Sequence, residues 1–150
     1  MKKITQQKIT PFLWFDKNAA EAAKFYVSVF KNSRIINVSP MVVTFELEGL
    51  RFMGLNGGPH FKFTEAVSFY VDCETQKEVD YFWEKLSKGG SRSQCGWLKD
   101  KFGLSWQIVP RVLGELMGGK DRAGADRALQ AMLKMKKLDI KKLEKAYAGK

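Results

Sequence analysis

The sequence is poor in the side chains that most metal and nucleophile sites use. Its 150 residues include one histidine, His60, and two cysteines, Cys73 and Cys95. Two cysteines do not make a disulfide framework, and we expect both to be reduced, structural thiols. Apolar residues make up 45% of the chain, which excludes wholesale disorder and suffices for one ordinary domain or two joined half-domains.

The sequence also lacks long apolar stretches. No apolar run reaches the roughly 18 residues that a membrane-spanning helix needs. The segment Met1–Lys8 contains basic residues, and no apolar stretch follows them. We therefore expect no membrane span, no secretory signal and a cytoplasmic protein.

Positive charge is in excess and is concentrated near the C-terminus. The net charge is +10, and residues 120–150 hold 10 basic and 4 acidic side chains. A basic surface can bind nucleic acid, but no known nucleic-acid-reading motif accompanies it here. We expect a solvated helix face and consider nucleic acid an unlikely partner.

Two stretches of the chain predict the same order of elements. In the first, alternation and helical spacing predict a strand, a helix and three short strands. The bounds are Ile9–Phe15, Asn18–Phe30, Arg34–Val38, Val42–Leu47 and Leu50–Leu55. Asn18 is the expected helix cap, and Glu48-Gly49 the expected turn between the last two strands.

The second stretch repeats this pattern. It predicts strands at Ala66–Val71, Arg92–Gln94, Trp97–Lys99 and Leu104–Val109, with a helix opened by the capping box Thr75-Gln76-Lys77-Glu78. At an offset of 57, Asn18 aligns with Thr75 and Glu21 with Glu78. The sequence therefore predicts an α+β fold of paired βαβββ modules followed by C-terminal helices.

After Pro110 the pattern becomes helical. We expect helices over Arg111–Met117 and Asp126–Met135, and a last helix capped by Asp139, with Leu138 and Leu143 as a hydrophobic staple. The predicted domains are residues 1–110, with repeats at about 9–57 and 66–110, and a basic helical extension over 111–150.

Several of these segments resemble one protein family. The likeness is carried by Ile9–Phe30, by Phe52-Met53-Gly54-Leu55-Asn56-Gly57-Gly58-Pro59, by Ala66–Cys73, by Cys95–Pro110 and by Ala131–Asp139. The sequence resembles the PhnB-like branch of the glyoxalase/bleomycin-resistance superfamily, whose members share the vicinal oxygen chelate fold. The resemblance implies a homodimer with sites in the concave faces of its sheets. Proteins of this branch are often named demethylubiquinone methyltransferases.

The superfamily's metal enzymes bind a divalent ion through His and Glu side chains on four strands. The resemblance places these positions at Pro11, at Phe52 or Gly54, at Ala66 and at Gln107. Of these side chains only Gln107 offers a ligand atom, a neutral carbonyl oxygen, whereas a stable site needs several charged or imidazole ligands. We therefore expect no metal and no cofactor.

Two further departures affect the interpretation. Family members usually have a glycine-rich loop where Ser39-Pro40-Met41 stands, so we expect a longer, disordered loop between Pro40 and Met41 in the complete chain. A methyltransferase of the Rossmann type needs a glycine-rich turn that opens a helix. Asn56-Gly57-Gly58-Pro59 leads into His60-Phe61-Lys62-Phe63 instead, which favours a simple turn.

The candidate site consists of polar residues on the same strand faces as the lost metal positions, together with Asn56 and His60 at the turn that follows a strand. The catalytic candidates are His60 and Gln107, and the candidate ligand-binding residues are Asn56, Ser68, Tyr70, Ser105 and Gln107. Four of them have a structural alternative: His60 as plain surface, Asn56 as a turn residue, and Ser68 and Ser105 as small core residues.

The function expected from this pattern is metal-free binding of a small organic molecule in the cleft between the modules. Whether the protein is an enzyme stays open. The alternatives are an enzyme of the superfamily, of lyase, isomerase or methyltransferase type, an antibiotic-sequestering protein, and a nucleic-acid-associated protein that acts through its basic tail.

Overall fold

The computed structural model describes residues 7–150 as two compact units, of which one ends at Lys62 and the other begins at Phe63. The expected absence of a secretory signal depends mainly on residues 1–6, which lie outside the described part of the chain. Within residues 7–150, no helix is both long enough and apolar enough to cross a membrane.

The first unit contains one helix and one four-stranded sheet. Its elements are β1 (Phe12–Phe15), α1 (Ala19–Val29), β2 (Arg34–Val38), β3 (Val42–Leu47) and β4 (Leu50–Asn56). The strand order is β1-β4-β3-β2, in which β1 and β4 are parallel and the other pairs antiparallel. Helix α1 is buried along Ala22, Ala23 and Tyr26, and the Tyr26 ring stacks on Phe45 at 6.0 Å.

The second unit repeats this architecture. Its elements are β5 (Ser68–Cys73), α2 (Gln76–Ser87), β6 (Ser91–Arg92), β7 (Trp97–Lys99) and β8 (Ser105–Pro110). The strand order β5-β8-β7-β6, with β5 and β8 parallel, reproduces that of the first unit. The predicted fold of two βαβββ modules with C-terminal helices is confirmed.

The two module helices are capped in different ways. In α2 the predicted Thr75 cap forms, because Thr75 Oγ1 accepts from Glu78 N at 3.2 Å. The Glu78 carboxylate accepts from Glu74 N at 2.7 Å, one residue before the N-cap, so the reciprocal half of the predicted capping box is displaced. In α1 the predicted cap is wrong, since the Asn18 side chain makes no capping hydrogen bond. Asn56, at the end of β4, accepts from Ala19 N at 2.9 Å instead. A side chain distant in sequence therefore replaces the local cap.

The expected long loop between Pro40 and Met41 is wrong. The two residues are neighbours in the chain, and β2 and β3 are joined by a tight turn over residues 39–41. Ser39 N donates to Val42 O at 2.9 Å, and Val42 N donates to the Ser39 hydroxyl at 3.1 Å. The turn satisfies its own backbone groups, so no additional residues are needed to connect the strands.

Three helices follow the second sheet and belong to the unit that begins at Phe63: α3 (Arg111–Met117), α4 (Arg122–Leu133) and α5 (Ile140–Ala148). Helix α4 starts earlier than predicted because Asp121 caps it through Gly124 N at 2.9 Å. The Asp139 cap is confirmed at 3.0 Å from Lys142 N. Leu138 and Leu143 are fully buried in a cluster with Val109. The separate domain over residues 111–150 stays a prediction.

The segment between α4 and α5 is attached to the sheet through backbone groups. Cys95 N donates to Met135 O and Gly96 N to Lys136 O, both at 2.8 Å. Gly96 has a φ of +83°, and a Cβ there would approach Ile108 O to 2.7 Å. Glycine is therefore required at position 96, where the backbone between β6 and β7 lies against β8.

Candidate functional site

The second sheet has one face under α2 and one open face. Arg92 lies on the helix side, because its guanidinium is 5.8 Å from the Trp83 ring of α2 and bonds to Ser87. The cross-strand register places Leu98 and Trp106 on that same side. Alternation along the strands then assigns their neighbours to the open face, where most of the sequence-predicted site residues lie.

One complete cross-strand row of the open face consists of small polar residues and one cation. Ser68 lies opposite Ser105, Ser105 opposite Lys99, and Lys99 opposite Ser91, so that the row crosses all four strands. Side chains directly opposite each other have Cβ atoms about 5 Å apart. The structure therefore brings three hydroxyls and one ammonium group into one line.

The adjacent row contains larger groups. Tyr70 lies opposite Gln107, and Gln107 lies opposite Trp97. Gln107 Nε2 donates to Ser68 Oγ at 3.0 Å and so links the two rows. The Tyr70 ring is 58% exposed, and desolvation, followed by the charges of Asp72 and Cys73, raises the pKa of its phenol. Tyr70 is therefore a neutral hydrogen-bonding group at physiological pH.

A cavity of about 570 Å³ opens beside the polar row. Its walls come from β6, β7, the segment between them, β8 and the loop before β5, through Glu65, Ser91, Arg92, Ser93, Gln94, Cys95, Trp97, Leu98, Lys99 and Ser105. Glu65 forms an ion pair with Lys99 inside this set. The volume lies in the range of small-molecule sites.

Ser105 is the most informative residue in this wall. The residue is 1% exposed. Among residues 7–150, its hydroxyl is the one buried side-chain polar group that makes no hydrogen bond. Buried hydroxyls in folded proteins almost always have a partner. The hydroxyl has almost no accessible surface of its own, so a molecule in the cavity can bond to it only after a neighbouring side chain moves.

The candidates from the first module have different surroundings. The Asn56 side chain accepts from Ala19 N at 2.9 Å and donates to Pro40 O at 3.1 Å, so both ends of its amide are used. His60 is exposed next to Gly58, whose carbonyl accepts from Trp14 Nε1 at 2.9 Å. A turn at Pro59-His60, and no helix, follows the two glycines.

The two cysteines differ in position. Cys73 is fully buried, and desolvation, followed by the charges of Glu78 and Asp72, raises the pKa of its thiol to about 12. It is therefore an unreactive, structural thiol. Cys95 is half-buried at a φ of +60° and lines the cavity.

The metal positions implied by the fold do not form a site. Phe52 and Gly54 are buried in the first unit, Ala66 is exposed, and Gln107 bonds to Ser68. Within the described residues, no group of three or more His, Cys, Asp or Glu side chains could hold a metal ion. The donor set therefore does not fit a divalent ion, and no chemistry here is assigned to one.

Sequence analysis missed most residues of the cavity wall, among them Glu65, Lys99 and Ser91. Alternation within a strand identified Ser105 and Gln107, but it does not show which residue of a neighbouring strand lies opposite. The available signal is the segment Lys101-Phe102-Gly103, whose glycine is typical of a turn and which sets the pairing of β7 with β8.

Comparison with known proteins agrees with this architecture. The family model described as 3-demethylubiquinone-9 3-methyltransferase matches residues 7–109. The chain is 37% identical to the PhnB protein from Bacillus cereus, which carries the same methyltransferase name. This likeness covers 69% of the present chain and 99% of the Bacillus chain, with a TM-score of 0.66.

More distant structures share the fold alone. A Pseudomonas aeruginosa protein is 17% identical over 70% of this chain and 98% of its own, with a TM-score of 0.58. The fosfomycin resistance protein FosX from Listeria monocytogenes, solved with Mn(II) and sulfate, is 17% identical over 67% of this chain and 86% of its own, with a TM-score of 0.52. None of the curated proteins compared with the chain matches it.

Proposed function

We propose that this chain, which belongs to the PhnB-like 3-demethylubiquinone-9 3-methyltransferase family of the vicinal oxygen chelate fold, binds a small organic molecule on the open face of its second sheet. The binding uses hydrogen-bonding side chains in place of a metal. Ser68, Tyr70, Ser105 and Gln107 supply the polar groups, and Trp97 supplies an apolar surface.

The observation that carries this proposal is the buried, unpartnered hydroxyl of Ser105 in the wall of the 570 Å³ cavity. Leaving a buried polar group without a partner costs about 1–3 kcal/mol. A ligand atom that accepts or donates a hydrogen bond at Ser105 removes that cost. The cavity therefore favours an occupant with a polar group at this position over an apolar one.

Methyl transfer is the activity that the family name suggests, but the residues give it weak support. The segment Asn56-Gly57-Gly58-Pro59 opens no helix, so it offers no helix N-terminus to a nucleotide-like cofactor. His60 is exposed and lies in the first unit, whereas the polar rows lie in the second. Reversible binding fits the arrangement better than a proton-transfer reaction.

Native mass spectrometry of the purified, untagged protein, with metal analysis of the same sample, tests the proposal. We expect a cytoplasmic homodimer whose mass exceeds that of the two chains by the mass of a bound small molecule. The metal analysis should find much less than one divalent ion per chain. Stoichiometric metal would contradict the proposal, because it would require ligands outside the mapped positions. A dimer without added mass, and without any hit in a fragment screen, would contradict small-molecule binding.

Ser105→Ala separates binding from folding. We expect the variant to lose most of the bound mass while its unfolding free energy stays equal or rises, since the substitution removes an unsatisfied buried hydroxyl. Ser28→Ala is the matched control, because the Ser28 hydroxyl donates to Phe25 O on an exposed helix surface. If both variants retain the same amount of ligand, Ser105 does not contribute to binding.

A further inference from the structure

We propose that the cavity takes the anionic oxygen group of an organic acid, a carboxylate or phosphoryl group, and that Glu65 occupies the place of this group in the free protein. The inference rests on the proposed function and specifies its ligand class. It depends on three residues that face the same cavity: Glu65, Lys99 and Ser105.

Lys99 is the cation of the polar row. In the cross-strand register it lies directly between Ser91 and Ser105, so a hydroxyl-bearing residue is its partner on each neighbouring strand. A carboxylate or phosphoryl group needs several donors that converge on adjacent oxygens. Lys99 and the hydroxyls of Ser91 and Ser105 are such a donor set, and Ser105 has no competing partner among the described residues.

The other cation of the cavity wall is already engaged. Arg92 donates to Glu84 at 2.7 Å and to Ser87 at 3.0 Å, and its guanidinium lies over Trp83. These contacts hold Arg92 on the α2 side of the sheet. The charge available to an incoming anion therefore comes from Lys99.

Glu65 supplies the anion that Lys99 binds in the free protein. It lies on the loop before β5, and its carboxylate pairs with the Lys99 ammonium. The two side chains are 62% and 40% exposed, so water screens the pair and its contribution to stability is small. The hydrogen bond from Lys99 is the largest cause that lowers the pKa of Glu65, which keeps the carboxylate ionised.

Because Glu65 is on an exposed loop, a ligand anion can displace its carboxylate from Lys99. A ligand acid that also contacts Ser105 gains a hydrogen bond that Glu65 does not make in this structure. Trp97, beside Lys99 along β7, lines the cavity and offers an aromatic surface to the body of such a ligand. The inferred ligand is therefore a small organic acid with an apolar or aromatic part.

An amide NMR titration of the full chain with benzoate, phenylphosphonate and the neutral benzamide tests this inference. We expect the two acids to shift resonances of residues 91–99 and 105, and benzamide to bind more weakly. Glu65→Gln should tighten benzoate binding about threefold, since it removes the competing anion from an exposed pair. Lys99→Met should weaken it about tenfold, since it removes the charge.

The Lys137–Asp80 pair provides matched controls, because it has similar exposure and lies in the same unit. Asp80→Asn and Lys137→Met change the net charge as the test variants do and should leave benzoate affinity unchanged. Equal effects of Glu65→Gln and Asp80→Asn would overturn the role of Glu65. Binding of benzamide as tight as that of benzoate would overturn the anion preference and leave small-molecule binding intact. No shifts with any probe would overturn the inference, while the native mass measurement decides the proposed function separately.

Discussion

The carboxylate of Asp100 shows how one residue fixes the geometry of the open face. It is 2% exposed and accepts from Phe102 N at 2.8 Å, Leu104 N at 3.1 Å and Trp106 Nε1 at 2.9 Å. A buried carboxylate is tolerated only when its oxygens are satisfied in this way. Asp100 thereby holds the β7–β8 turn that places Lys99 opposite Ser105.

Asp100→Asn is predicted to destabilise the protein by about 2 kcal/mol, because the amide nitrogen would face a donor and leave it unpaired in the interior. Urea unfolding monitored by tryptophan fluorescence measures the change. Asp126→Asn, at an exposed position of α4, is the control and should be neutral. A loss equal to that of the control would mean that the turn does not depend on the carboxylate.

Cys73 predicts a pH dependence of stability in the alkaline range. The unfolded thiol ionises near pH 9.0 and the folded thiol near pH 12, so between these values the folded state keeps a proton that the unfolded state has lost. Stability is therefore fully present below pH 9 and falls as the pH rises toward 12. From pH 8 to 10.5, we expect the wild-type protein to lose about 2 kcal/mol more than Cys73→Ala in urea unfolding. Parallel pH profiles would contradict this.

Residue types and their alternation along the strands predicted part of the site. The rest depends on contacts between residues that are distant in sequence. Ser68, Ser105 and Gln107 follow from alternation on strands with clear polar and apolar faces. Asn56 was ambiguous in the sequence because an amide at a strand end can bind a ligand or a backbone group. Its bonds to Ala19 N and Pro40 O depend on elements that are distant in sequence, which no local pattern reports.

At the scale of elements, the N-terminus of α1 depends on a strand. We predict that Asn56→Ala destabilises the protein by about 1–2 kcal/mol, since it removes the acceptor of Ala19 N and the donor to Pro40 O. Asn18→Ala is the matched control, because Asn18 occupies the cap position without a capping side-chain bond. Chemical denaturation of both variants distinguishes the two residues. A larger loss of unfolding free energy in Asn18→Ala than in Asn56→Ala would mean that Asn18 caps the helix.

Helix α2 holds the C-terminal segment through one amide. Gln76 Nε2 donates to Leu138 O at 3.0 Å, and Gln76 Oε1 accepts from Ile140 N at 2.8 Å. We predict that Gln76→Ala speeds proteolytic cleavage between residues 133 and 140 several-fold, because two backbone groups lose their partner. Limited proteolysis with mass detection measures this, and Lys77→Ala, at an exposed neighbouring position, is the control. Equal cleavage rates would contradict the role of Gln76.

The elements themselves were largely predictable, because their signals are local. Strands β2 and β3, β7 and helix α3 have the bounds that alternation and breaker residues indicate. Helix α4 was misplaced at its start because its first turn contains Gly124, which lowers the helical signal, while the Asp121 cap supplies the missing stability. The pairing of Ser91 with Lys99 in the short β6–β7 ladder had no comparable signal.

At the scale of the whole molecule, internal duplication was the most useful signal in the sequence. The offset of 57 aligned the first residues of the two module helices, Asn18 with Thr75 and Glu21 with Glu78, and both sheets have the same strand order.

The excess positive charge lies mainly outside the duplicated modules. Residues 120–150 carry 10 basic side chains and 4 acidic ones. We predict that any binding to duplex DNA is non-specific and falls steeply with salt between about 50 and 200 mM. Fluorescence anisotropy measures this, and sequence-selective, salt-insensitive binding would contradict it.

The attachment of the C-terminal segment has a consequence for hydrogen exchange. The amides of Cys95 and Gly96 are protected by carbonyls of Met135 and Lys136, so they exchange with solvent only when that segment lifts away. Cys95 also lines the cavity. The exchange rates of these two amides are therefore sensitive both to the attachment of the C-terminal segment and to the occupancy of the cavity. A cavity occupant that slows exchange at Cys95 and Gly96 would therefore be stabilising the attachment of the C-terminal helices to the second sheet.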